Sequence, residues 1–293
     1  MTGRLPAPNS RYDSFSAAAP TEPTGETQSP NMQEEMIMKV IAVNNQKGGT
    51  GKTTTAAALG FALYHRDSRV LLIDLDAQGN LSYTVNAEGG GYGIFGAMER
   101  PETTRQEIQY VCSNGNGGRI DIIPSTERLA VAEKIFTEIG KEYKLKEALQ
   151  NIDASAYDYV IIDTPPALSI LSVNALAAAD TVIIPAQADI YSLQGITQIS
   201  STIATVRKYC NSRLTIDGIV LTRYNSRTTI SKDLAAALTQ TAVKLDTRVY
   251  NTRIRECTAI KEAQALRKDL FIYAPKSNAA EDYNSLVNEM IGG

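Results

Sequence analysis

Short runs of consecutive apolar, β-branched residues alternate along the chain with longer helix-like segments. The apolar runs, which read as buried strands, lie at residues 39–44, 70–74, 120–124, 159–163, 181–185 and 216–221. The longer segments, which predict helices, lie at residues 53–65, 125–137, 168–179, 193–208 and 229–243. Continuous apolar strands that alternate with helices are typical of parallel sheets covered on both faces. The pattern predicts a single α/β domain, in which helices flank a mostly parallel, twisted sheet and ligands bind at the carboxyl ends of the strands.

The first 36 residues do not follow this pattern. Five prolines stand there among Ser, Thr, Ala and Gly: Pro6, Pro8, Pro20, Pro23 and Pro30. This composition predicts a disordered tail at 1–36, followed by a folded domain at 37–293. The tail lacks the basic start and the apolar core of about 7 to 15 residues that mark a secretory signal. Because Met32, Met36 and Met38 precede the first strand, we hypothesise an internal translation start, which N-terminal mass spectrometry tests.

The overall composition indicates a soluble enzyme with a substantial core. The chain has 293 residues, of which 43% are hydrophobic, and this length allows one large domain. No apolar run approaches the roughly 18 to 20 residues that span a bilayer, so an integral membrane protein is not expected. The three cysteines are odd in number and far apart in the sequence, which argues against a disulfide framework. A reducing cytoplasm is therefore the expected location.

A glycine-rich loop at residues 46–55 separates the first predicted strand from the first predicted helix. In an ordinary phosphate-binding loop, G-x-x-x-x-G-K-[ST], backbone N–H groups cradle phosphates, the lysine contacts the β- and γ-phosphates, and the hydroxyl group binds Mg²⁺. Gly51, Lys52 and Thr53 fill the last three places. The first glycine is replaced, and Lys47 adds a second lysine. Because the positive end of a helix follows the loop, the sequence predicts a phosphate site with one unexplained cation.

Two further predicted strands end in acidic residues. Asp163 closes the run 159–163, as in a Walker B strand whose carboxylate helps to hold Mg²⁺ directly or through water. Asp74 and Asp76 alternate at the end of another run, and they point to the same side if that strand continues far enough. One of them could then serve the metal while the other orients the attacking water. The simpler interpretations, a helix cap for Asp163 and a polar turn for the pair, stay open.

Taken together, these motifs resemble those of the ParA/MinD deviant Walker A ATPases. The resemblance rests on residues 47–54, 74–80 and 162–166, extends from about Met38 to the C-terminus, and is closest to the ParA partition branch. It implies a P-loop NTPase fold, ATP and Mg²⁺ as cofactors, and slow ATP hydrolysis. In that family the extra lysine, matched here by Lys47, reaches across a nucleotide-sandwich homodimer to the phosphates bound by the partner. Such a lysine neutralises phosphate charge much as an arginine finger does.

The resemblance also assigns roles to individual residues. It implies phosphate contacts from Lys47, Gly48, Gly49, Thr50, Gly51, Lys52, Thr53 and Thr54. Lys47 and Lys52 would act in catalysis, together with Asp76, which would polarise the hydrolytic water. Thr53, Asp76 and Asp163 would hold Mg²⁺. The adenine would lie near Arg223, in the stretch 222–224, and near Pro275, in the stretch 275–278.

The charge distribution adds a candidate DNA-binding region. The net charge is −3, but residues 191–270 contain 13 Lys and Arg against 6 Asp and Glu. A basic region on an acidic protein can still attract DNA. In ParA-like proteins, basic residues in this part of the chain bind DNA without regard to sequence once the ATP dimer forms. The candidates are Arg227, Arg253, Arg255, Lys261 and Arg267. For each of them, a solvated charged face is the alternative interpretation.

The function that the resemblance implies is DNA segregation by a cytoplasmic, nucleoid-associated ATPase. A ParB-like centromere-binding partner would stimulate its hydrolysis. The alternative is a MinD-like or regulatory positioning ATPase, which recruits a protein and does not move DNA. MinD relatives attach to membranes through a basic amphipathic C-terminal helix. Because residues 278–293 carry three acidic residues and no basic one, we expect no membrane contact and a C-terminal helix that packs on the domain.

Overall fold

The computed structural model describes residues 1–3, 38–88 and 91–292, without the side chains of Ile190 and Ile230. Apart from residues 1–3, the predicted tail lies outside the described residues, so its disorder stays a prediction. The helices found in the described ranges include none with the length and apolar character needed to cross a membrane.

One sheet organises the domain. Within the described residues its strands are Lys39–Val43 (β1), Arg69–Asp74 (β2), Gln109–Ser113 (β3), Arg119–Ile123 (β4), Tyr159–Asp163 (β5), Thr181–Gln187 (β6), Thr215–Tyr224 (β7) and Val249–Arg255 (β8). Their order across the sheet is β3-β4-β2-β5-β1-β6-β7-β8. Neighbouring strands are parallel, except for β3 and β4, which are antiparallel. The predicted α/β class with a mostly parallel sheet is confirmed.

Helices cover both faces of this sheet. They are Lys52–Tyr64 (α1), Asn80–Thr84 (α2), Gly93–Glu99 (α3), Ala132–Ile135 (α4), Lys144–Gln150 (α5), Ile170–Ala178 (α6), Ile190–Tyr209 (α7), Thr229–Lys244 (α8), Thr258–Ala265 (α9), Leu270–Tyr273 (α10) and Asn278–Ile291 (α11). Short 3₁₀ helices lie at Pro101–Glu107, Glu127–Val131 and Lys141–Tyr143. Because strand side chains alternate between faces, Val40 and Ala42 of β1 enter one hydrophobic core, and Ile41 and Val43 enter the other.

Two of the predicted elements need a separate comment. The C-terminal helix α11 packs on the domain as expected, because Tyr283, Leu286 and Val287 are fully buried among residues of α1 and the central strands. The continuous helix predicted at 125–137 is wrong. That segment divides into a 3₁₀ helix and the short α4, after which Phe136 leaves helical geometry and stacks on Phe95, with ring centroids 5.2 Å apart.

Candidate nucleotide-binding site

The three sequence motifs meet at the carboxyl edge of the sheet because their strands are neighbours. β5 lies between β2 and β1, so Asp163 stands opposite Asp74 on one side and opposite Val43 on the other. The glycine-rich loop begins three residues after Val43, and the loop that contains Asp76 follows Asp74. Ligands of open α/β sheets bind at this edge. The fold therefore brings together parts of the chain that are more than 100 residues apart.

The backbone of the glycine-rich loop takes a conformation that glycine favours. Gly49 and Gly51 have φ angles of 75° and 89°, in the left-handed region. Gly51 is the N-cap of α1, and no side chain caps this helix. The first N–H groups of α1 are thus available to an anion at the positive end of the helix dipole. The Thr222 hydroxyl donates to the Thr50 carbonyl at 2.7 Å, which attaches the loop to β7.

A cleft of about 480 Å³ opens beside this loop. Of the predicted site residues, it is lined by Gly48, Gly49, Gly51, Lys52, Thr53, Thr54, Asp76 and Arg223. A smaller cavity of about 70 Å³ adjoins it and shares Gly51, Thr54, Arg223 and Gln264 with the cleft. Arg223 has a φ of 49°, which is uncommon for a residue with a side chain. Among the described residues, Pro275 is exposed and lines neither of these two cavities.

Asp163 is buried next to Lys52 and Thr53 and does not itself line the cleft. Its side chain is 0% exposed, and within the described residues neither carboxylate oxygen accepts a hydrogen bond. Burial, followed by the charge of Asp74, raises the pKa of Asp163 well above its usual value. The Thr53 hydroxyl and the Lys52 ammonium group oppose this shift. A buried carboxylate without a partner is costly, and its oxygens together with the Thr53 hydroxyl suit Mg²⁺.

Lys52 is buried near the carboxylates of Asp163 and Asp76. Its Nζ atom donates to the Lys47 carbonyl at 3.2 Å. Burial lowers the pKa of Lys52, although Asp163 and Asp76 act in the opposite direction. A lysine that is buried near two carboxylates and lines the cleft is a positive point charge directed at a bound anion.

The two acidic residues at the carboxyl end of β2, Asp74 and Asp76, lie in different environments. β2 ends at Asp74, so strand alternation does not extend to Asp76. Asp74 is fully buried, and its oxygens accept hydrogen bonds from Ser82 and from the Asp76 backbone. Burial raises the pKa of Asp74 to about 6, although these hydrogen bonds oppose it. Asp76 lines the cleft, whereas the Asp74 carboxylate is hydrogen-bonded to the loop behind it.

Lys47 is directed away from the cleft of its own chain. Its Nζ atom contacts a carboxylate oxygen of Asp189 at 2.5 Å and lies 5.7 Å from the ring centroid of Tyr191. Asp189 is also the N-cap of α7, and it accepts a hydrogen bond from the Ser192 backbone at 2.8 Å. Burial alone would raise the pKa of Asp189, but the contacts with Lys47 and Ser192 outweigh burial and lower it. Asp189 could not be predicted from the sequence, because its pairing with Lys47 joins residues 142 positions apart.

The five candidate DNA-binding residues are all exposed, but their partners differ. Arg255 is engaged within the protein, since its guanidinium pairs with Asp282 at 2.6 Å and with Glu281 at 3.3 Å. This ion pair joins β8 to α11. For Arg227 and Lys261, by contrast, the described part of the chain provides no side-chain hydrogen bond or ion pair.

The remaining two candidates lie against tyrosine rings. Arg253 donates to the Tyr224 hydroxyl at 2.6 Å, and its guanidinium lies 4.5 Å from the centroid of that ring. Arg267 lies 4.0 Å from the ring centroid of Tyr83 and donates to Asn86 at 2.9 Å. Both guanidinium groups remain exposed at the surface, so these contacts orient them without burying their charge.

A phosphate-binding loop after β1, a buried acid at the end of β5 and an acidic loop after β2 define a P-loop nucleotide-binding protein. Residues 38–216 match the family model described as an AAA domain. The chain is 35% identical over 258 residues to the sporulation initiation inhibitor protein Soj of Bacillus subtilis, covering 86% of this chain and 98% of that protein. It is 37% identical over 262 residues to the chromosome partitioning protein ParA of Caulobacter vibrioides, covering 87% and 94%. The chain belongs to the ParA family of P-loop NTPases.

A solved structure agrees with this assignment. Cobyrinic acid a,c-diamide synthase from Mycobacterium smegmatis, with a bound ATP analogue and magnesium, superposes with a TM-score of 0.72 at 31% identity. The match covers 88% of this chain and 97% of that one. The predicted resemblance to the ParA family and the predicted P-loop fold are both confirmed.

Proposed function

We propose that the protein is an ATP-dependent DNA-partitioning ATPase with slow intrinsic hydrolysis. The observation that carries the nucleotide assignment is the buried carboxylate of Asp163. Among the described residues it accepts no hydrogen bond, and it lies next to Lys52 and Thr53, which line the cleft. Mg²⁺, when bound, supplies a positively charged partner for this carboxylate and neutralises the charge of the phosphates. Asp163, Thr53 and Asp76 hold the metal, and the loop amides with Lys52 bind the β- and γ-phosphates.

Asp76 orients the attacking water in this proposal. It lines the cleft, whereas Asp74 is occupied by hydrogen bonds behind it. No histidine or glutamate lines the cleft within the described residues. Hydrolysis without a strong general base is slow, which supports the expected weak turnover.

Lys47 acts across a homodimer in the proposed ATP-bound state. Its side chain does not line the cleft of its own chain, and it is partly exposed next to Tyr191. Released from Asp189, it can meet phosphates that a second chain binds. ATP bound between two chains therefore joins them, and hydrolysis separates them.

The ATP dimer binds DNA without regard to sequence, and a ParB-like partner stimulates hydrolysis and release. Similarity to a chromosome partitioning protein and to a sporulation initiation inhibitor supports a chromosomal role. Arg227 and Lys261 are exposed and have no side-chain ion pair within the described residues, so they are available to phosphates. Nucleoid association follows from this DNA binding.

The decisive experiment measures DNA binding with ATP, with ADP and without nucleotide. We expect binding only with ATP, and a fall of log K with log salt of about 0.9 per phosphate contacted. Replacing Arg227 and Lys261 together by Ala should weaken binding and reduce that slope by about 2. Lys134→Ala, which removes an exposed lysine outside the basic region, is the matched control. A protein that forms ATP dimers without DNA affinity would instead be a positioning ATPase that recruits a protein.

A further inference from the structure

A closed ring of hydrogen bonds holds the peptide backbone of Asp76. The Asp76 N–H donates to Asp74 Oδ1 at 3.2 Å, and Asp74 Oδ2 accepts from the Ser82 hydroxyl at 2.8 Å. The Ser82 hydroxyl in turn accepts from the Ser125 N–H at 2.9 Å. The Ser125 hydroxyl closes the ring, because it donates to the Asp76 carbonyl at 2.5 Å.

This ring fixes Asp76 from both sides of its backbone. Its N–H donates to one residue and its carbonyl accepts from another. These two hydrogen bonds restrain the backbone that carries the Asp76 side chain. A second hydrogen bond from the Ser82 N–H to Asp74, at 2.8 Å, strengthens the ring. Fully satisfied polar networks of this kind rigidify the segments that they join.

The other three members of the ring come from separate elements and do not line the cleft. Asp74 ends β2, Ser82 belongs to α2, and Ser125 follows β4. Among the described residues, Asp76 is the ring member that lines the nucleotide cleft. Its three partners do not need to touch the nucleotide in order to affect it. Their shared property is that each one restrains the Asp76 loop.

We propose that Ser125 and Ser82 are positioning residues for Asp76. The proposal rests on the proposed role of Asp76 in orienting water. Positioning of a reacting group is worth large factors in rate, and a displacement of about 1 Å costs about 100-fold. Ser125 holds the Asp76 carbonyl directly, whereas Ser82 links Ser125 to Asp74. The ring therefore affects the rate of ATP hydrolysis, whereas the phosphate-binding loop determines the affinity for ATP.

The first test compares Ser125→Ala with wild type in single-turnover ATP hydrolysis and in equilibrium ATP binding. We expect hydrolysis to fall by about tenfold or more, while the Kd for ATP changes by less than about twofold. Ser125→Thr keeps the hydroxyl and should restore turnover. Thr126→Val is the matched control, because it removes a neighbouring buried hydroxyl that has no hydrogen-bond partner in the described residues. Ser82→Ala breaks the ring at a second point and should have the same effect.

A double-mutant cycle with Asp76→Ala separates positioning from a general loss of structure. Because Ser125 acts through Asp76, Ser125→Ala should cause no further loss of turnover in the Asp76→Ala background. Full turnover in both Ser125→Ala and Ser82→Ala, or equal losses with and without Asp76, would overturn the proposal. Unchanged turnover in Asp76→Ala alone would overturn the proposed role of Asp76 and the ring's role with it. A loss of turnover in Asp76→Ala, with no loss of turnover in either serine variant, would overturn only the proposed role of the ring.

Discussion

Replacing Asp189 with Asn should strengthen ATP-dependent dimerisation. In the single chain, Asp189 holds Lys47 in an ion pair, and this pair must break before Lys47 reaches a partner's phosphates. Asn removes the charge but keeps an oxygen that can accept the Ser192 N–H, and Asn is as good an N-cap as Asp. The substitution therefore releases Lys47 while it preserves the start of α7.

The size of the effect follows from the exposure of the pair. The side chains of Lys47 and Asp189 are 25% and 33% exposed, so solvent screens their attraction. Pairs of this kind are worth about 0.2 to 1 kcal/mol. Each dimer requires two such releases, which gives about 0.4 to 2 kcal/mol in total. The dimer Kd should therefore fall by a factor of about 2 to 30.

Analytical ultracentrifugation across a concentration series, with a non-hydrolysable ATP analogue, measures this Kd. Two controls separate the causes. Asp189→Ala removes the cap together with the ion pair, so it should also lower the free energy of unfolding by about 1 kcal/mol. Lys47→Ala removes the ion pair and the proposed contact in trans, so it should weaken the dimer. Dimerisation of Asp189→Asn that is equal to or weaker than that of wild type would refute the argument that Asp189 restrains Lys47.

Three further predictions concern pH, stability and nucleotide binding. The pKa of Asp74 is raised to about 6 in the folded protein from 3.8 in the unfolded chain, so the folded state binds a proton first as the pH falls. Relative to Asp74→Asn, the free energy of unfolding of wild type should therefore rise by about 2 kcal/mol between pH 7 and pH 4. Parallel pH curves in denaturant unfolding would contradict this. Arg255→Ala should lower the free energy of unfolding by about 1 to 2 kcal/mol, because it leaves the buried Asp282 carboxylate without its arginine. The control Arg227→Ala should change the free energy of unfolding by less than about 0.5 kcal/mol. Equal effects of the two substitutions in urea unfolding would argue against a structural role for Arg255. Lys52→Ala should weaken ATP binding at least about tenfold in calorimetry, since it removes a buried cation from the cleft; unchanged affinity would exclude Lys52 from the phosphate site.

The central strands could be predicted because burial on both faces makes their sequences continuously apolar. This holds for β1, β2 and β5, which together carry the site. β8 was missed because it alternates buried and exposed positions, and its exposed residues include Arg253 and Arg255. Edge strand β3 was missed because none of its five residues is fully buried. The sheet's edges therefore depend on tertiary pairing that a local apolar run does not reveal.

The phosphate-binding loop could be predicted because its chemistry is local. Glycines, a lysine and a threonine in adjacent positions form the anion site, whatever surrounds them. The partner of Lys47, in contrast, lies 142 positions away, and the serine that holds the Asp76 carbonyl lies 49 positions away. Neither Asp189 nor Ser125 belongs to a short motif. Only the strand order, which places β4 beside β2 and β6 beside β1, brings these residues to the site.

These long-range contacts divide the site into a fixed part and a movable part. Asp76 is bound through both its N–H and its carbonyl, by partners on different elements. Lys47 is held at its charged end by one partly exposed ion pair, which costs little to break. In the proposed dimer, Asp76 is therefore already in place when ATP binds, and Lys47 is the group that changes partner. Control over turnover then lies in the encounter of two chains, which is the step that a DNA surface or a stimulating protein can influence.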